Sequence, residues 1–340
     1  MKFQINKSKI QVALTVFILI CLLMPTGILK AQDDSTAEKS EAPLAKKLKP
    51  VKNTFQSVWI IDNQTILVPV KGTFEMDIMH RFGTVDKGYE DFWGFFAPSN
   101  IRMGVSFVPI NKLNIGIGVT KSTATIIPRV DAPSKVSGPL WDASLKYSII
   151  TQTKNKYPVS ITYYANAAIN TKKDTAHDIY LNSSDRLTYF HQLIIARKIT
   201  DKLSIQVAPS VSHQNVVNGF FVMLDSSKLN TKPSMEHNHI AIAISARYKL
   251  TKATSVMVSY DQPITKHVTN NPDPNLSFGL EFNTSSHSFQ LFFTNYSFLT
   301  PQTNNLYNHN SPFDYTDAEG KQINGGKFLI GFNITRLWNY

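Results

Sequence analysis

Seven charged side chains share one structural setting. Glu75, Asp77, Arg102, Asp142, Lys146, Arg247 and Glu281 each stand in a stretch where apolar and polar residues alternate, and each falls on the polar side. An alternating stretch is a strand with one greasy and one wet face. If such strands span a bilayer, Arg or Lys on the lipid side near the midplane costs about 2–4 kcal/mol. Their shared parity with Ser, Gly and Asn therefore places these seven on an inner wall. There the mixed signs either line an aqueous path that selects among solutes or pair off into a packed, closed interior.

Other polar groupings carry weaker chemistry. His237 and His239, beside Glu236, lie two apart and share one face of a strand, so they are a candidate metal pair, although no third ligand is evident. The run Ser212-His213-Gln214-Asn215 has the residue types of a barrel lipid hydrolase. Neighbours on a strand point to opposite faces, so this nucleophile and base would not meet. Neither a phosphate-cradling glycine loop nor a His-Glu-x-x-His helix is present. The sequence thus points away from an enzyme, with no catalytic residue and no cofactor expected.

The elements that must position these groups follow from the period-two pattern. One face of residues 72–82 carries Phe74, Met76, Ile78 and Phe82, and the other carries Thr73, Glu75, Asp77 and Arg81. Leu113, Ile115, Ile117 and Val119 oppose Asn114, Gly116, Gly118 and Thr120 in the same way. The pattern recurs through the last segment, where Phe328, Ile330, Phe332 and Ile334 oppose Gly331, Asn333 and Thr335. Residues 186–198 are apolar on both faces, which leaves their register open. About twelve strands result, joined alternately by long and short connections. Long loops on one side and short turns on the other are the mark of an outer-membrane up-and-down β-barrel. A secreted β-sandwich is the alternative, but it has no reason to alternate its loop lengths. An even strand count puts both chain ends on the short-turn side, which in such a barrel is the periplasm.

Composition agrees. The 340-residue chain is 42% hydrophobic and 11% aromatic, with 17% charged residues and a formal charge of +11. A mean hydropathy of −0.15 excludes a bundle of membrane helices but not a barrel, whose strands hide their apolar residues by alternation. The single cysteine, Cys21, excludes a disulfide framework. Lys2, Lys7 and Lys9 precede an apolar run from Ile10 to Met24, which reads as an export signal over residues 1–31. Residues 32–71, with Lys46, Lys47, Lys49 and Lys52, read as a polar periplasmic leader or linker, and 72–340 as the barrel. No aromatics interleave those lysines, so no nucleic-acid partner is expected. The expected partners are outer-membrane lipid and, through a final strand ending in the aromatic Tyr340, the barrel assembly machinery. Tyr163, Tyr189, Tyr248, Tyr260 and Trp338 suit interfacial girdles.

Several short stretches are familiar. His80-Arg81-Phe82-Gly83, Ile101-Arg102-Met103-Gly104, Leu187 to Lys198, Phe289-Gln290-Leu291 with Phe293-Thr294-Asn295, and Phe328 to Ile334 together resemble a family of exported Gram-negative β-barrel proteins of unknown function. The resemblance covers most of residues 54–340 and implies a barrel in the outer membrane. It implies no reaction, ligand or catalytic residue. The functional expectation is a porin-like passive conduit for small solutes. Its rivals are a closed structural or docking barrel and, last, a barrel lipid hydrolase.

Overall fold

Alternation of apolar and polar residues carries directly into strands. The computed structural model describes residues 49–339 apart from 122–138, 172–179, 181, 218, 226–227, 234, 270, 317–319 and 321. The proposed export signal, the first part of the leader and Tyr340 lie outside the described residues. Twelve strands, each paired antiparallel with its sequence neighbours, close into one barrel. They are β1 (Thr73–Thr84), β2 (Asn100–Ile110), β3 (Leu113–Lys121) and β4 (Pro139–Ile150), then β5 (Ser160–Asn170), β6 (Leu187–Lys198), β7 (Leu203–Gln214) and β8 (Asn238–Lys249). β9 (Thr254–Pro263), β10 (Asn275–Asn283), β11 (His287–Thr294) and β12 (Leu329–Asn339) complete the circuit. The seam is made by β12 against β1, from Asn339 opposite Thr73 to Leu329 opposite Thr84. Closure leaves no free sheet edge, which is the condition for a sheet to cross hydrocarbon.

Burial follows strand parity and is inside out. On β1 the buried residues are Thr73, Glu75, Asp77, Met79 and Arg81, while Phe74 is exposed. On β3 Ile115 and Ile117 are exposed and Asn114 and Thr120 are buried. An apolar exterior around a polar interior suits only a sheet solvated by lipid. No helix among the described residues is long and apolar enough to cross a membrane.

The ambiguous register of β6 resolves with a physical reason. Phe190, Gln192, Ile194 and Ala196 point inward and are buried, and Leu193 points out. Phe190 and Ile194 join Tyr164, Ala208 and Ala243 in an apolar cluster that packs on Ile66. Both faces of β6 are apolar because one meets lipid and the other meets a piece of the chain inside the barrel.

That internal piece corrects the expected leader. Its described part does not trail away as a solvated linker: Thr54 to Thr65 are almost all buried. Trp59–Ile60 pairs with Asn63–Gln64 as a small hairpin whose partners lie on the barrel's inner wall. The chain enters beside the short turns, where the Val51 amide donates to Gln152 O at 2.8 Å, and returns to the same end to begin β1. A helix, α1 (Pro301–Tyr307), lies in the long connection between β11 and β12, with Gln302 to Leu306 buried. The long connection after β7 carries a paired strand of its own, Gly219–Asp225 with Lys228–Pro233.

Candidate functional site

The inner wall brings its charges together in a strict arrangement. Arg102 on β2 donates from Nη1 to Asp77 Oδ2 on β1 at 2.6 Å, and grips Asp142 on β4 twice, at 2.8 and 3.0 Å. Two glycines make room for this fork. A Cβ on Gly118 would stand 2.2 Å from Arg102 Nη2, and one on Gly104 2.6 Å from Asp77 Oδ2. Arg247 on β8 donates to Glu281 on β10 at 2.6 Å, reaching past β9. Glu75 accepts from Ser106 Oγ at 3.3 Å. All seven charged residues expected on the inner wall are buried.

The hairpin meets this wall through apolar and polar atoms: Phe55, Ile60 and Ile61 pack with Ala196, Met257 and Phe292, and Val58 and Trp59 with Met79. Lys146 on β4 donates to Gln64 Oε1 at 2.6 Å and to Thr65 O at 3.4 Å. Asn63 Nδ2 donates to Asp261 Oδ1 at 2.9 Å and to Ser259 Oγ at 3.1 Å, and Asn63 Oδ1 accepts from Gln192. Arg81 pairs with Asp62 at the tip, and Arg247 donates to Gln56. Wall amides also grip the hairpin's backbone. Gln290 donates to Trp59 O at 2.7 Å, Asn333 to Ile61 O at 2.7 Å and Gln206 to Gln64 O at 2.9 Å. Ile61 has a φ of +59°, a costly conformation for a β-branched residue. The wall holds it there, because the Ile61 amide also donates to Gln290 Oε1 at 3.1 Å.

A second obstruction enters from the long-loop end. Gln302 of α1 donates to Asn166 Oδ1 at 2.9 Å, Tyr307 donates to Gln214, and Asn275 donates to Asn305 at 3.3 Å. The two insertions meet at Asp62, whose Oδ2 accepts from Asn304 at 3.4 Å. Between the hairpin and the wall of β1 to β5, a cavity of about 20 Å³ is lined by Trp59, Gln64, Glu75, Arg102, Lys146 and Tyr164. That is room for about one water molecule. A wider vestibule of about 440 Å³ opens at the short-turn end, lined among others by Phe55, Lys252, Asn283 and His287.

The other candidate residues do not assemble. His237 Nδ1 bonds Gln214 O at 2.8 Å, whereas His239 Nδ1 meets His267 Nε2 at 3.0 Å, so the two rings serve different partners. Among the described residues no cluster of three His, Cys, Asp or Glu offers a metal site. Ser212 is buried inside the barrel, while His213 bonds Asn238 and Asn215; the pair is split between faces as strand geometry requires. Sequence reasoning missed the hairpin residues Gln56, Asp62, Asn63 and Gln64 and the whole of α1. One signal was available: charge stops at Lys52, and Asp62 is the single charged residue from 53 to 70.

Residues 55–338 match the family described as membrane bound beta barrel domain (DUF5777). The chain belongs to this family. The matched span begins at Phe55, ahead of the hairpin, so the family's domain includes the inserted segment along with the strands. No curated protein matches the chain. Among solved structures the chain is similar to the KdgM porin, at 11% identity and a TM-score of 0.41, covering 77% of this chain and 98% of that one. It is also similar to the NanC porin, at 9% identity and a TM-score of 0.40, covering 78% and 99%. An outer membrane channel from Pseudomonas putida F1 shares 11% identity with a TM-score of 0.44, covering 80% and 97%.

Proposed function

We propose that this protein is an outer-membrane barrel acting as a passive conduit for small solutes, held shut by its own N-terminal hairpin. One observation carries the reading: the lumen is occupied by a segment whose polar and charged groups are matched by partners on the barrel wall, beside apolar packing of Phe55, Ile60 and Ile61. Neutral hydrogen bonds contribute only about 0.5–1.5 kcal/mol each once water is the competitor, and water entering an emptied lumen would replace them, so release must give up chiefly the apolar packing of Phe55, Ile60 and Ile61. An emptied lumen would present Arg81, Lys146 and Asp261 without their hairpin partners, alongside Arg102 paired with Asp77 and Asp142 and Arg247 paired with Glu281. These groups, together with Glu75, Asp77, Asp142 and Glu281, would set selectivity by charge. Support for the outer membrane comes from the closed barrel, its apolar exterior and the export signal expected over residues 1–31. No enzymatic role is proposed.

The second reading is a closed structural or docking barrel, favoured by α1, which obstructs the lumen from the opposite end. Planar-bilayer recording separates the two. The full chain should pass little current, and the chain lacking residues 54–67 should give discrete openings. Silence from both, with the deleted form shown to be folded and inserted, overturns the conduit.

A further inference from the structure

We propose that the loop between β1 and β2 is a membrane anchor, whose cluster of aromatic rings docks into the lipid leaflet on the long-loop side of the barrel. Tyr89, Phe92, Trp93, Phe95 and Phe96 are all exposed, Tyr89 and Phe96 at 80% each. They form one connected group. Phe92 stacks on Phe96 with ring centroids 5.4 Å apart, and Trp93 meets Phe92 edge-on at 5.3 Å and Tyr89 at 5.9 Å.

The backbone is arranged to display these rings. Phe92 and Trp93 both adopt left-handed conformations, with φ of +53° and +54°, which bulky residues avoid. The Trp93 amide donates to Gly88 O at 2.6 Å and the Gly83 amide to Gly94 O at 3.0 Å, while the Gly94 amide donates to Asp91 Oδ1 at 2.9 Å. Gly94 is needed for this closure, because a Cβ there would stand 2.3 Å from Gly83 O. The rings therefore sit on a fixed base and project outward.

Lipid is the occupant because the cluster continues the lipid-facing surface. Phe95 lies 4.5 Å from Phe82, on the outer face of β1. Phe82 in turn neighbours Phe332 of β12, whose ring stacks on His80 at 5.1 Å. An unbroken apolar track thus runs from the strands into the loop. Tyr and Trp, each with an apolar body and a polar tip, suit the boundary between headgroups and acyl chains. The exposed Asp86, Lys87 and Glu90 on the same loop supply groups that remain in the headgroup layer.

Fluorescence tests this directly. The chain has four tryptophans; replacing Trp59, Trp141 and Trp338 with Phe leaves Trp93 as the reporter. The protein is inserted into phosphatidylcholine vesicles carrying bromine at shallow or deep positions on the acyl chains. The proposal expects shallow bromine to quench Trp93 several-fold more than aqueous iodide does. Strong iodide quenching with no effect of bromine overturns it and makes a soluble protein the occupant to seek. Should the triple variant fail to fold, Phe96→Cys in a Cys21→Ser background carries a nitroxide label instead. Collisions dominated by oxygen support insertion, and collisions dominated by an aqueous nickel chelate refute it.

Discussion

Lys146 of β4 reaches Gln64 of the inserted hairpin at 2.6 Å, fixing the second arm of the hairpin to the barrel wall with a charge-assisted bond. The residues around it explain why the contact is specific. Glu75 lines the same small cavity, so the ammonium sits near a carboxylate but spends its shortest bond on the hairpin's amide. Hairpin and wall are therefore matched as partners, polar atom to polar atom, and these bonds together with the apolar packing of Phe55, Ile60 and Ile61 hold the segment in the lumen.

Asp62 at the hairpin tip is the most exacting of these contacts. Asp62→Ala leaves the fully buried Arg81 guanidinium without its carboxylate, and breaking a buried pair in this way costs about 3–5 kcal/mol. The expected result is an unseated tip and channel openings in planar bilayers where the parent is quiet. The double variant Asp62→Leu/Arg81→Met removes both charges and should return the quiet state.

Gly118→Val tests the charged fork on the wall. The new Cβ would fall 2.2 Å from Arg102 Nη2, so the Asp77–Arg102–Asp142 arrangement must open. Overpacking costs about 1–3 kcal/mol, and the weakened ion pairs add to it. The temperature at which the barrel loses its compact gel mobility in detergent should fall clearly below that of the parent.

Strand parity predicts opposite outcomes for the two faces of β11. Leu291 faces outward and is exposed, while Ser288 faces in and is buried. Leu291→Arg should lower folding stability in vesicles by about 2–4 kcal/mol, whereas Ser288→Ala, which removes a buried hydroxyl that has no hydrogen-bond partner among the described residues, should leave it unchanged or raise it slightly. Urea titration of folding into lipid measures both.

His267, in the loop after β9, gives a pH dependence. Its Nδ1 accepts from the Glu236 amide at 2.9 Å, so the neutral ring carries its proton on Nε2, which faces His239 Nδ1 at 3.0 Å. Burial holds the His267 pKa below its ordinary value of 6.5, against a smaller opposite pull from the Glu236 carboxylate. A depressed histidine binds fewer protons folded than unfolded, so its contribution is full above pH 6.5 and is lost as pH falls towards the folded value. Tryptic cleavage at Lys266 in membrane-inserted protein should accelerate on acidification through this range. His267→Asn, which accepts from an amide without titrating, should flatten the response.

Much of the wall was legible in the sequence because period-two alternation is a local signal. The burial of Glu75 and Asp77 beside the exposed Phe74 follows from parity alone. β6 was ambiguous for a nonlocal reason: Phe190 and Ile194 are apolar because Ile66, far away in the chain, packs on them. The hairpin escaped for the same cause. Val58 to Leu67 mixes apolar residues with amides at no fixed period, since its environment is set by a wall assembled from many strands. Its partners Gln206, Gln290 and Asn333 read as ordinary inward polar residues until the fold places a backbone against them, and Gln192 lies in the stretch whose register the sequence leaves open. Which wall charges pair with each other and which with the hairpin also depends on this assembly. Lys146 and Arg102 share a parity and differ only in what lies opposite.

The central claim is that residues 54–67 occupy the lumen, and the environment of Trp59 tests it most directly. In a chain whose Trp93, Trp141 and Trp338 are replaced by Phe, Trp59 is the sole emitter. Inside the barrel it is shielded from both solvents, so neither aqueous iodide nor brominated lipid should quench it appreciably until the protein is unfolded. Quenching by iodide to the extent seen with free indole would place the segment in water and contradict the account.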